Sequence, residues 1–377
     1  MQKKLHIVSF DVPFPADYGG VIDVYNRIVA LHQSGCSITL HCFDYGRDEQ
    51  KALKKVTQQV FYYKRKSKAL SSASKKPMIV ASRENEELLK NLLKDDAPIL
   101  FEGQHCTAFL DHAQLKNRIK WVRLHNVEHH YYQALGESET HFLKKKFFLN
   151  EAKKLKKHES VLTHANQLLC ITQGDLEYYS KRFKNALLLP AAFDKEDNRY
   201  IEKKKDFILF HGNLTVAENI KALQWILREV LPDLSKKLVI AGKYDKQKRL
   251  SLFTKIEQTK GLEFCPNPSK EKMNQLLDEA AAHLLISFQA TGIKLKLIHA
   301  LLTSGHVIAN PLMVKNSGLE KWCEVLSTGS EISERLNAIT LDPISIKTHE
   351  ERVKFITNRH GELNQVKIIE QLLKKNN

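Results

Sequence analysis

Residues 287–310, SFQATGIKLKLIHALLTSGHVIAN, decide how this chain is read. The stretch leaves an apolar run over 280–288 and turns through Thr291 and Gly292. It then places Ile293, Leu297, Ala300 and Leu301 at helical spacing. After Gly305 comes a short β-like run, 307–309. Strand, glycine turn, helix and strand form a half-unit of a parallel α/β sheet. The turn sets a helix N-terminus at the carboxyl edge of the sheet, where such folds bind ligands. Lys294 and Lys296 flank it. Free backbone N–H groups, the positive end of a helix dipole and two lysines suit a multiply charged anion such as a diphosphate. The dipole contributes about 0.3–1 kcal/mol and each charge-assisted hydrogen bond roughly 1.5–3 kcal/mol, so the lysines dominate. An ordinary amphipathic helix with two solvated lysines has the same spacing.

The same rhythm extends in both directions. Upstream, 207–210 reads as a strand, followed by HGNLTVAEN (211–219) and a helix that runs to Val230 and stops at Pro232. Strands are expected at 238–241, ending in Gly242-Lys243, at 262–265 and at 284–288, with a helix over 273–281. Downstream, 348–375 is one long helical pattern. The first half starts with a strand at 4–10, the loop DVPFPADYGG (11–20), a helix over 21–33 and a strand at 38–43, which is a βαβ unit. Gly19-Gly20 lets a ligand approach the backbone or simply permits the turn; it is not G-x-G-x-x-G, so a dinucleotide cofactor is not supported. Residues 47–78 read as a Lys- and Ser-rich surface stretch with a strand-like 60–63 inside. A helix over 84–93 and strands at 98–101, 118–124, 168–171 and 187–189 follow. Thr172 or Asp175 is a plausible cap for a helix after 171.

The densest polar cluster is HNVEHHYY, 125–132. His125, Glu128 and His129 spell H-x-x-E-H, which on a long helix would be a zinc hydrolase motif with Glu128 as base. Here it directly follows a strand, so a strand-end loop carrying a positioned imidazole, able to orient or deprotonate a hydroxyl, or a polar helix N-cap region, fits better. Residues 140–165 form an amphipathic helical stretch, with Phe142, Phe147, Leu149, Ala152, Leu155 and His158 opposite a basic face. Packing on the core is preferred there to lying on a membrane surface.

The length of 377 residues allows two domains, and 42% hydrophobic with 27% charged residues is ordinary for a globular protein. The charged stretch 194–205 is the best boundary, giving domains 1–192 and 193–377. Two alternating β/α halves imply two facing sheets with a cleft between them, and the last helix can pack back on the first domain. No apolar run approaches the roughly 20 residues of a membrane span, and the N-terminal run is too short for a secretory signal. The six cysteines form no C-x-x-C pair and read as buried thiols in a reducing cytoplasm. Net charge is +16. The lysine runs fit solvated helix faces, an anionic small substrate or an anionic membrane surface. Nucleic acid is disfavoured, because no helix-turn-helix, zinc-finger or RNP-type pattern accompanies the charge.

Five motifs together resemble one family. They are P-x-P-x-D-Y-G-G (13–20), H-N-V-E-H (125–129), V-x-x-x-A-x-x-L-L-C-I-T-x-x-D (161–175), H-G-N-L-x-x-x-E-N (211–219) and G-I-K-L-K-L-x-x-A-L (292–301). Their order and spacing resemble GT-B-fold retaining glycosyltransferases of the family-four group, of the bacterial polysaccharide-assembly kind. The resemblance implies a GT-B fold of two facing Rossmann-like domains. It implies transfer of a sugar from a nucleotide-sugar to a carbohydrate or lipid-linked acceptor in cell-surface glycan biosynthesis, in the cytoplasm or on the inner face of the membrane. The N-terminal domain would bind the acceptor and the C-terminal domain the donor. Asp17, Tyr18, Gly19, Gly20 and Glu128 would belong to the acceptor and phosphate loops. Gly212, Asn213, Gly242, Lys243, Thr291, Gly292, Ile293, Lys294, Lys296 and His299 would hold the donor. His125 and Lys294 would be catalytic. No metal or cofactor is implied, because lysines and a helix dipole stabilise the leaving diphosphate. The leaving phosphate would assist deprotonation of the acceptor hydroxyl. The chain departs from the family pattern where Thr291 and His299 replace the two carboxylates of Glu-x7-Glu, where Asn213 and Glu218 replace an Arg and a Lys, and at Ser304-Gly305, where the glycine is shifted by one. An inactive GT-B-like binding protein is the alternative reading.

Overall fold

The computed structural model describes residues 3–16, 18–191, 200–245, 251–289 and 295–375. Asp17 and Thr291, Gly292, Ile293 and Lys294 lie outside the described residues, as does part of the expected boundary near 194–205. The chain divides into two compact units, the first holding residues 3–191 and 360–375, the second 200–289 and 295–359.

In the first unit the strands are β1 (Lys4–Ser9), β2 (Ser37–Asp44), β3 (Gln59–Lys64), β4 (Ile99–Glu102), β5 (Lys120–Leu124), β6 (Gln167–Cys170) and β7 (Ala186–Leu188). They form a parallel sheet in the order β3-β2-β1-β4-β5-β6-β7. Every residue of β4 and β5 is buried, whereas edge strand β3 is mostly not. Parallel strands covered on both faces read as continuous apolar runs, which is why they were legible. Successive residues serve opposite faces: Ile99, Phe101 and Val122 enter one core, Leu100 and Trp121 the other.

The second unit has β8 (Lys205–His211), β9 (Lys237–Gly242), β10 (Leu262–Pro266), β11 (Ala280–Leu285), β12 (His306–Ala309) and β13 (Glu324–Val325). Their parallel order is β10-β9-β8-β11-β12-β13. Ile208, Phe210 and Leu284 pack on one side, Phe207, Leu209 and Ala280 on the other. In each sheet the strand order reverses beside the first strand, between β1 and β4 and between β8 and β11. Those are the switch points at which open α/β sheets bind ligands.

Several expected boundaries move. The expected strand at 284–288 is β11, Ala280–Leu285, and the helix before it is Lys270–Glu279, with the Ser269 side chain accepting from Lys272 N. Ala280–Ala282 are small enough for either element, and burial on both faces makes them strand. The long pattern at 348–375 is two helices, Ile346–His360 and Glu362–Lys375, separated at Gly361. The last helix belongs to the first unit. Val366, Ile369, Leu372 and Leu373 join its core beside Val24, Ile28 and Leu31, and each such burial contributes about 1.5–3 kcal/mol.

The stretch 140–165 is a helix over Phe142–His158 followed by a 3-10 turn, Glu159–His164. Ala152 and Leu155 are buried, but Phe142 is 74% and Leu143 67% exposed, so core packing holds only for the C-terminal half. The surface stretch 47–78 contains the short helix Lys68–Ser72. All six cysteines are free, with Cys265 and Cys323 only half-buried instead of buried. Among the described residues no helix is long and apolar enough to cross a membrane.

Candidate functional site

The helix Gly19–Gln33 follows the loop after β1, at the switch point of the first sheet. Gly20 leaves room for the Phe10 ring, whose Cζ would lie 2.8 Å from an added Cβ. Tyr18 precedes the helix and donates its hydroxyl to Asp11 Oδ2 at 2.7 Å, with Arg47 stacked on its ring at 5.1 Å. Burial, then Asp11, raises the Tyr18 pKa and keeps the phenol neutral.

One helical turn further, Asp23 and Arg27 enter a network of buried charges. Arg27 donates from Nε to Glu102 Oε1 (3.1 Å), from Nη2 to Asp23 Oδ2 (2.9 Å) and from Nη1 to Gln365 Oε1 (2.9 Å). Arg123 on β5 donates from Nε to the same Asp23 oxygen at 2.9 Å and from Nη2 to the Pro190 carbonyl at 3.2 Å. Arg27, Glu102 and Arg123 are each 0% exposed. Burial alone would push the Glu102 carboxyl up, but Arg27, His125 and Arg123 outweigh it and hold it below its ordinary range. Burial and neighbouring Arg27 bring Arg123 down to about 10.

His125, just past the end of β5, completes the network: its Nε2 lies 3.0 Å from Glu102 Oε2. An ionised Glu102 can only accept, so it fixes the proton on Nε2 and leaves Nδ1 with a lone pair. Phe10 packs edge-on against His125 at 5.2 Å and tilted against His105 at 5.5 Å. His105 Nδ1 sits 4.0 Å from Glu128 Oε1, and neither atom has a hydrogen-bond partner among the described residues. Burial raises the Glu128 pKa to about 7 and holds His105 well below the usual imidazole range. His105 had no motif to mark it in the sequence.

The cluster 125–132 is not a strand-end loop throughout, because the helix Glu128–Ser138 begins at its fourth residue. The zinc motif is dispersed. His125 turns to Glu102, whereas His129 Nδ1 lies 2.8 Å from Glu159 Oε1. Among the described residues no group of three His, Cys, Asp or Glu is arranged to hold a metal ion.

In the second unit, β8 and β9 run so close that a Cβ on Gly242 would lie 1.8 Å from the Gly212 carbonyl oxygen. Gly242 also has φ +149°, so only glycine fits there. Leu214 N donates to the Lys243 carbonyl at 2.8 Å, tying the loops after the two strands together. Asn219 donates to the Asn213 carbonyl at 2.9 Å and accepts from Lys296 Nζ at 3.1 Å. Gly212, Asn213, Gly242, Lys243 and Lys296 are thereby joined at the carboxyl edge of β8 and β9. Lys296 and His299 lie on the helix Leu295–Leu301, whose Leu297, Ala300 and Leu301 are buried. Burial, then Lys296 and His299, depresses the buried His211 to about 3, so its ring is neutral. Its Nε2 has no hydrogen-bond partner among the described residues.

Glu218, which the sequence marks only as a missing cation, has a structural task. Its Oε1 accepts from Ser287 Oγ at 3.0 Å and Phe288 N at 2.5 Å, fixing the exit of β11. Asn310 clamps the same exit, accepting from Ser287 N (3.0 Å) and donating to its carbonyl (2.7 Å).

No protein-family model matches the chain. It is 24% identical over 348 residues to an uncharacterized 44.6 kDa protein in the cps region of Klebsiella pneumoniae, covering 87% of this chain and 88% of that protein. Its structure is similar to sucrose-phosphate synthase from Thermosynechococcus elongatus, with a TM-score of 0.70 at 14% identity over 99% of this chain and 98% of that one. It is also similar to Anabaena HepE solved with UDP and glucose, with a TM-score of 0.68 at 10% identity over 99% and 100%. The chain has the GT-B fold of these glycosyltransferases.

Proposed function

We propose that the protein is a nucleotide-sugar glycosyltransferase in which the second unit holds the donor and the first the acceptor. The observation that carries this reading is the joined cluster Gly212, Asn213, Gly242 and Lys296 at the carboxyl edge of a GT-B sheet. Closely packed glycines bare the backbone there, and Lys296 brings positive charge to the same edge. The HepE complexes with UDP and with UDP-glucose support a uridine nucleotide as the first ligand to try. In the proposed reaction Lys294 and Lys296 stabilise the leaving diphosphate without a metal, configuration is retained, and His125 orients the acceptor hydroxyl or takes its proton. Thr291, Gly292, Ile293, Lys243 and His299 complete the donor site, and Asp17, Tyr18, Gly19, Gly20 and Glu128 the acceptor loops. A role in cell-surface glycan assembly is supported by the relative in the cps region. A donor-binding protein that no longer transfers is the second reading, favoured by the absence of carboxylates at Thr291 and His299.

The test is a thermal-shift titration with UDP in EDTA. A ligand at 100 times its dissociation constant adds about 2.7 kcal/mol to the folded state. The wild type is expected to shift and Lys296→Ala to shift clearly less. No shift by the wild type with UDP, GDP, ADP, CMP or dTDP would end the donor reading. Sugar turnover from the matching nucleotide-sugar then separates enzyme from binding protein.

The proposed location is the cytoplasmic face of a membrane. Phe142 and Leu143 stand exposed beside Lys144, Lys145 and Lys146, the composition of a helix that lies in a lipid interface. Co-sedimentation with anionic vesicles is expected, and it should fall in Phe142→Ser/Leu143→Ser. Equal recovery of both proteins in the pellet would discard the placement.

A further inference from the structure

We propose that the cavity at the carboxyl ends of β2 and β3 binds a phosphoryl group, and that the acceptor of this protein carries one. The second half of the proposal rests on the acceptor role of the first unit. The cavity, about 470 Å³, is lined by Lys64, Arg65, Lys66, Tyr45, Asp44 and Ser82. Three cations thus face one carboxylate, and that carboxylate is already engaged. Asp44 Oδ1 accepts from the backbone N–H groups of Gly46 (2.8 Å) and Arg47 (3.1 Å).

The cations have little to neutralise them. Among the described residues neither Lys64 nor Arg65 has an ion-pair partner. Lys66 lies 3.7 Å from Glu84, and Lys76 pairs with the same side chain. Behind the cavity Arg83, almost fully buried, spends its donors on the carbonyls of Phe10 (2.9 Å) and Ile79 (2.7 Å) instead of on a carboxylate. Solvated lysines on a surface need no explanation, and Lys64 and Lys66 alone would carry nothing. Arg65 is different. Its guanidinium is held over the Tyr45 ring at 4.4 Å, Nη2 donates to Ser82 Oγ at 3.1 Å, and the buried Nε has no hydrogen-bond partner among the described residues. A planar donor fixed on two sides, between two lysines, is the arrangement that recognises a tetrahedral oxyanion.

The charge favours a phosphate over a carboxylate. A phosphomonoester carries close to two negative charges at neutral pH and offers three acceptor oxygens, which three cations can share. Tyr45, 59% exposed at the rim, offers an amphipathic ring to whatever the phosphate is attached to. A phosphosugar and the headgroup of a phosphomonoester lipid present the same chemistry to this cavity.

The test titrates the full-length protein with glucose 6-phosphate and, as control, with glucose. Variants are Arg65→Gln, Lys66→Gln, Lys296→Ala and the charge-matched Lys272→Gln on the second unit. Wild type is expected to bind glucose 6-phosphate but not glucose. Losing one charge-assisted hydrogen bond should weaken binding about ten-fold or more in Arg65→Gln and Lys66→Gln. Lys272→Gln and Lys296→Ala should bind as wild type, and UDP should bind Arg65→Gln normally. A parallel sedimentation compares vesicles containing phosphatidic acid with vesicles of equal charge made with phosphatidylserine. A preference for phosphatidic acid that Arg65→Gln abolishes assigns the site to a lipid phosphate. Binding of glucose 6-phosphate without that preference assigns it to a soluble phosphosugar. The proposal is overturned if wild type binds neither probe, or if Arg65→Gln keeps the phosphate that Lys296→Ala loses. Failure of UDP binding in every protein would instead remove the donor reading and leave this site standing.

Discussion

Replacing His125 with alanine is expected to lower sugar transfer by about 10²–10⁴-fold, the usual contribution of a positioned acid or base, while UDP binding stays unchanged. The expectation follows from the tautomer. Glu102 is held ionised by Arg27 and Arg123, so it accepts from Nε2 and leaves Nδ1 as the acceptor of a proton. Glu102→Gln supplies the sharper comparison. A carboxamide can donate to Nε2, and the ring then carries its proton on Nδ1, where it cannot act as a base. Transfer should fall in Glu102→Gln although His125 is still present. If His125→Ala retains wild-type turnover with the nucleotide-sugar that the UDP screen selects, the imidazole has no part in the chemistry. A rate loss explained wholly by a raised KM for donor would move His125 from reaction to binding.

The second large effect is on stability. Arg27→Met should destabilise the first unit by about 3–5 kcal/mol, because it strips the ion-pair partner from Glu102 and leaves Asp23 with Arg123 alone, at carboxylates that water does not reach. The double variant Arg27→Met/Glu102→Met should cost less than the sum of the two single changes, since it removes charges in pairs. Trp121 reports on this unit alone once Trp225 and Trp322, both in the second unit, are replaced by phenylalanine. Urea unfolding followed by its emission gives the number. A midpoint within experimental error of wild type for Arg27→Met would mean that water reaches the network.

The α/β architecture was readable because its strands are buried on both faces, so LLISF-like runs stand out between charged helices. The glycines and Lys296 of the second unit were readable too, since a strand followed by glycine has few physical meanings. The charge network was not. Asp23 and Arg27 look like any i, i+4 pair on a helix surface, and Glu102 and Arg123 look like polar strand ends. Their partner Gln365 lies 338 positions from Arg27 in the chain. Gly361 was similarly mute, because one glycine inside a helical pattern is compatible with a continuous helix. Phe142 and Leu143 fit an apolar stripe by spacing, and spacing does not say whether a neighbour covers it.

The last helix has a bearing on how the protein is made. Glu362–Lys375 supplies part of the core of the first unit and the Gln365 amide that receives Arg27. The ribosome makes that helix after every strand of both units. At roughly 5–20 residues per second, the 338 positions between Arg27 and Gln365 take about 17–70 s to synthesise. During that time the first unit waits with an unfinished core and an unpaired amide partner. The second unit, whose described residues end at 359, has all of its strands in hand before that helix is made. The order of completion is therefore the reverse of the order of translation, and a nascent chain stalled before the final helix would expose the half that was made first.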